Sequence, residues 1–143
     1  MAVSLKAVVV GGLADVLLSS VLGIPFSMYV MWSRGLIGVP QSEMAPALLS
    51  AVHGSPGLFA IQIAIGVGCS VLGGYIAARL AKSSVILNGL LASWLCVAIG
   101  IYSVASGQES QALAVHLLLI AITPIAYLVG ARIYMQSRRA AHA

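Results

Sequence analysis

The sequence predicts an all-α integral membrane protein: a four-transmembrane-helix bundle with a short amphipathic helix in its first external loop. Three observations carry that expectation. Of 143 residues, 61% are hydrophobic and 7% charged, with a mean hydropathy of +1.08, whereas about a quarter of a soluble domain is charged. The apolar residues gather into runs at roughly 6–32, 57–79, 84–105 and 112–134, each able to cross a hydrocarbon core of about 30 Å at about 1.5 Å per residue. The seven basic residues then divide six to one, with Lys6, Arg79, Lys82, Arg132, Arg138 and Arg139 on one side of a four-span arrangement and Arg34 on the other. That asymmetry places both termini on the cytoplasmic side of a multi-pass membrane protein.

Span one is long enough to tilt or bend, and Pro25 supplies the place, because its ring crowds the Val21 carbonyl and it has no amide hydrogen to donate. Its apolar run continues to Trp32 without a small-residue cleavage site, which reads as a retained signal anchor. Tyr29, Trp32, Tyr75, Tyr102 and Tyr134 fall near span ends, as interfacial aromatic side chains do.

The external loop contains "SEMAPALLSAVHG". Ser42 is a start signal, Glu43 an acidic first-turn residue, Met44, Leu48, Leu49 and Val52 an apolar face, and Gly54 a stop. A helix over 42–53 is expected, lying on the membrane surface or capping the bundle. The remaining connections are short, so neighbouring spans should run antiparallel within a single domain covering 1–143.

Small residues recur every three or four positions in span two, at Gly66, Cys69, Ser70, Gly73, Gly74, Ala77 and Ala78. Span three repeats the device with Gly89, Ala92, Ser93, Cys96, Gly100 and Ser103. Lipid is as apolar as leucine, so membrane helices associate by close backbone approach, which small side chains permit. These seams should pack against neighbours, within one chain or between copies. They make a helix-packing, self-associating protein or an accessory subunit among other membrane subunits the first reading, with a proton- or cation-coupled small transporter or channel using Asp15 as the alternative.

Asp15 stands out from "VVVGGLADVLLSSVLG" because ionised Asp at mid-helix costs on the order of 3 kcal/mol on insertion scales. It begins a stripe with Ser19, Gly23 and Ser27 at four-residue spacing, which puts it on a small, polar face rather than toward lipid. Asp15 lies about 15 Å from the cytoplasmic edge, ten residues in. The same count reaches Ser70 in span two, Ser93 in span three, and Thr123 and Tyr127 in span four. These five residues are the candidate proton or cation site. Asn88 is nearer the cytoplasmic edge and Gln62 and His116 nearer the outer one, so they are not expected to touch Asp15.

No Lys or Arg shares the depth of Asp15. Either neutral donors from neighbouring spans hold a structural carboxyl in place, or the group exchanges protons or cations. His53 and His142 read as solvated loop and tail residues, and His116 as an interfacial hydrogen-bonding residue. Cys69 and Cys96 lack metal or redox spacing and read as small buried residues. No catalytic triad, HExxH or phosphate-binding Gly loop is present, so neither an enzyme, a metal site nor a cofactor is expected. The basic residues form no stripe with aromatics, which argues against a nucleic-acid partner.

Two resemblances bear on these readings. The junction "GGYIAARLAKSSVILNGLLAS", Gly73 to Ser93, resembles one in a family of small four-span bacterial inner-membrane proteins with no assigned function. It implies a multi-pass bacterial inner-membrane protein of similar architecture and transfers no catalytic residue. Gly11, Gly12, Ala14, Asp15 and Val16 are similar to the glycine pair and Ala-Glu-Val segment in span one of the small multidrug resistance transporters. That resemblance implies proton and cation exchange at Asp15. The carboxylate here is Asp instead of Glu, its spacing from the glycines is shorter, and the aromatic cation-binding motifs are absent. It offers an analogy of mechanism.

Overall fold

The computed structural model describes residues 3–81, 83–106 and 113–140. α1, Leu5–Ser33, starts at Ser4, whose hydroxyl accepts the Ala7 amide at 3.4 Å and satisfies one of the free donors of the first turn. The helix runs without interruption through Pro25. Its 29 residues give a length of about 43 Å at the standard rise.

The loop helix α2, Gln41–His53, is capped by Pro40 and not by Ser42 as the sequence suggested. The Pro40 carbonyl accepts the Glu43 amide at 2.9 Å, so the first turn already begins at Gln41 and Ser42 lies inside it. Val52 is buried in a cluster with Val30 of α1 and Leu58, and Phe26, Leu48, Ala51 and Phe59 pack around it. The apolar face is therefore spent on capping the bundle. His53, expected in solvent, closes the last turn of α2 and sets its ring edge-on to Phe59 at 5.4 Å.

α3, Pro56–Leu80, opens with proline at its first position, where the lost amide hydrogen removes no helical bond. A tight connection with Ser84 at φ +48° leads into α4, Val85–Ala92. Asn88 governs this corner. Its side-chain amide donates to the Ser83 and Ser84 carbonyls at 2.9 and 3.1 Å, and its Oδ1 accepts the Ser4 amide at 2.7 Å. One fully buried side chain thereby ties the start of α1 to the turn between the second and third spans.

Span three, expected as one helix, is interrupted at Ser93 and resumes as α5, Trp94–Ala105. The Ser93 amide and hydroxyl both donate to the Leu90 carbonyl, at 3.1 and 2.7 Å, which tightens the turn to a three-residue spacing. α6, Leu113–Ala140, runs six residues beyond the end expected at 134. His142 lies outside the described residues, as does the side chain of His116.

Four segments are long and apolar enough to cross a membrane: Leu5–Ser33, Pro56–Leu80, Val85–Ala105 and Leu117–Ala140. The architecture is an all-helical four-span bundle of a multi-pass membrane protein. α3 packs against both α1 and α6, and α4 against all three. At the end carrying Leu5, Leu80 and Ala140, hereafter the closed end, small residues bring backbones together. Gly74 meets the Tyr127 backbone, Gly130 meets the Val71 carbonyl, and a side chain at Gly11 would stand 2.6 Å from the Ala77 methyl. Toward the α2 end the spans part. No Cα of α5 comes within 8 Å of α3 among the described residues.

Candidate functional site

Asp15 sits where the closely packed half gives way to the open half, and only 2% of its surface is exposed. Three spans deliver hydrogen-bond donors to its carboxylate. Ser19, one turn further along α1, donates to Oδ1 at 3.2 Å; Ser70 of α3 donates to Oδ2 at 2.9 Å; and the Cys96 thiol of α5 donates to Oδ2 at 3.2 Å. The Tyr127 hydroxyl of α6 adjoins the Cys96 sulfur at 3.7 Å and also interacts with Asp15. All of these partners are neutral. Hydrogen bonds to a charged acceptor are about twice as strong as neutral ones, so the arrangement offsets part of the cost of a carboxylate away from water.

Local sequence explains how the cluster is reached. Gly73, one turn before Ala77 on α3, has no side chain, and a Cβ there would stand 3.0 Å from Asp15 Cβ, the Gly11 carbonyl and the Tyr127 hydroxyl alike. Glycine at this position lets α1 and α6 approach α3 from both sides and brings Asp15 and Tyr127 to one level.

Above the cluster lies a cavity of about 260 Å³. Asp15 and Ser19 of α1, Gln62, Gly66 and Ser70 of α3, Cys96 of α5, and Thr123 and Ala126 of α6 contribute to its wall, with Ile63, Val67, Leu119 and Ile122 as apolar lining. Gln62, Gly66 and Ser70 follow at four-residue spacing and so share one face of α3. The Gln62 Oε1 atom is buried, and no described group donates to it.

Of the four residues expected around the Asp15 carboxyl, the structure brings Ser70 and Tyr127 to it. Thr123 lines the same cavity, but its hydroxyl donates to the Leu119 carbonyl at 3.0 Å. Ser93 is buried, and its hydroxyl is committed to Leu90 in the helix break, so Cys96, one turn on, takes the place foreseen for it. Ser19 and Cys96 complete the site and were not among the four. The four-residue stripe of span one was the signal for Ser19; for Cys96 it was its position three residues beyond Ser93 on the same helical face.

The seam residues also divide. Gly73, Gly74 and Gly89 are packed against other spans of the same chain, with the Ala131 methyl 2.7 Å from where a Cβ on Gly89 would be, and Ala78 is fully buried. Gly66, expected to meet a helix, faces the cavity instead: nothing lies within 4 Å of a Cβ built there. Gly100 is half-buried in α5. Set against known proteins, the chain matches no family model, no curated protein and no solved structure, and the site stands on its own geometry.

Proposed function

We propose that this membrane protein exchanges a proton or a small cation at Asp15, as a compact transporter or channel, with its ends in the bacterial cytoplasm and α2 on the extracytoplasmic face. One observation carries the reading: the carboxyl is the polar floor of a cavity of about 260 Å³ reached by all four spans. A carboxyl kept only to join helices would be served by a packed environment, whereas this one adjoins space on one side. Arriving cations would replace the Ser19, Ser70 and Cys96 donors, which are neutral and can turn away at modest cost. The orientation is supported by Lys6, Arg79, Arg132, Arg138 and Arg139 at one end of the bundle and Arg34 at the other.

Self-association and an accessory role are the second reading. The small-residue seams that suggested it find partners inside one chain at Gly73, Gly74 and Gly89, so cation exchange is placed first.

The test is flux through reconstituted vesicles. Asp15→Asn keeps the side-chain volume and an acceptor oxygen while removing the charge. It should reduce proton-coupled or organic-cation flux by at least about 10-fold, since even 1.4 kcal/mol of lost cation stabilisation has that effect. Flux indifferent to Asp15→Asn contradicts the proposal.

A further inference from the structure

We infer that two adjoining cavities form a hydrated half-channel from beneath α2 to the Asp15 carboxyl, with Gln62 as an intermediate water or hydrated-cation stop and the glycine-packed layer as its closed end. The inference rests on the reading of Asp15 as an exchange site and adds the route by which an ion or proton arrives.

The second cavity, about 240 Å³, lies under α2, between Gly23, Phe26 and Ser27 of α1, Leu48, Leu49 and Val52 of α2, and the Gln62 face of α3. It shares Ser19, Gln62 and Gly66 with the cavity above Asp15. These three residues border both spaces, and in the half-channel they form the neck between them. Gly66 keeps the neck wide, since a Cβ there would have nothing within 4 Å. The four-residue stripe Asp15, Ser19, Gly23 and Ser27 runs along α1 through both cavities. Its hydroxyls provide a polar rail in otherwise apolar surroundings.

Gln62 gives the route its chemistry. A buried amide oxygen with no donor among the described residues carries a desolvation penalty, which a water or a hydrated cation in the neck removes. Each cavity has room for several waters at about 30 Å³ apiece. Beyond Asp15 the character changes. Gly74 and Gly130 bring the α3 and α6 backbones into contact, Gly11 meets Ala77, and Gly89 meets Ala131. Tyr127, fully buried, fills the level between them. At these contacts, among the described residues, the facing helices leave no room for a water between them.

The protein carries its own reporter. Cys96 lines the inner cavity beside Asp15, while Cys69 is buried and absent from the lining of both cavities. A small, membrane-impermeant methanethiosulfonate reagent is applied to the full chain in spheroplasts and, separately, in inside-out vesicles. Labelling is read by intact mass, and Cys96→Ser assigns the site. Arg34→Cys in the Cys96→Ser background marks the face that carries α2, and so also reads the orientation.

Cys96 should be labelled from the face carrying α2 and not from the other. Gly66→Leu, at a position where the added side chain meets open space, should slow that labelling at least 10-fold by filling the neck. Labelling from the closed end, equal labelling from both faces, no labelling from either, or labelling indifferent to Gly66→Leu overturns the half-channel. Failure of the exchange reading is separate and shows as flux indifferent to Asp15→Asn while Cys96 is labelled from one side.

Discussion

Asp15 has two carboxylate oxygens, and donors from α1, α3 and α5 converge on them. The Ser70 hydroxyl makes the shortest of these bonds and Asp15 is buried, so removing the hydroxyl leaves a buried acceptor short of a partner. Ser70→Ala should therefore lower stability by about 1–3 kcal/mol. The cost should shrink when Asp15→Asn is already present, because the two side chains share one interaction. Unfolding of both single variants and the double variant in mild detergent checks this; strictly additive losses would contradict it. Equal depth along straight helices picks out Ser70 and Tyr127, which reach Asp15, together with Ser93 and Thr123, whose hydroxyls donate to their own helices instead. It failed at span three because Ser93 spends its hydroxyl on the helix break, and a thiol one turn further carries the bond to Asp15. Local backbone bonding of a serine cannot be read from residue spacing.

Between elements, glycine decides where helices touch. Gly74 and Gly130 sit opposite each other's neighbours across α3 and α6: Gly74 against the Tyr127 backbone, Gly130 against the Val71 carbonyl. Any side chain at Gly130 forces the two backbones apart, and overpacking of this kind typically costs at least about 1–3 kcal/mol. Gly130→Leu should sharply reduce the folded yield and the melting temperature. Gly68→Leu, where a Cβ meets open space, should leave both close to the parent values. Equal behaviour of the two variants in thermal unfolding would contradict the packing account. Spacing identified which glycines share a face. It could not distinguish a face meeting a helix, as at Gly74, from one meeting a cavity, as at Gly66, because that depends on how far the partner spans diverge. The amphipathic loop helix was legible from its apolar positions, but its docking on Val30 and Leu58 depends on contacts remote in sequence.

Over the whole molecule, hydropathy and length were enough to place the four spans to within one residue at most ends, because a bilayer imposes both on any chain that crosses it. The bundle then divides into a close-packed half fastened by Asn88 and the glycine contacts, and a half that opens under α2. Asp15 lies at the boundary, held by neutral donors and bordered by space. The most direct test is the Asp15 carboxyl resonance in carbon-labelled protein in nanodiscs, followed as inorganic monovalent and small organic cations are added at constant pH. Binding at the carboxyl predicts a saturable shift of that resonance, accompanied by perturbation of Ser70 and Cys96 and abolished by Asp15→Asn. A resonance unmoved by every cation, together with an unchanged proton flux in Asp15→Asn, would make Asp15 a structural link between helices and contradict the account.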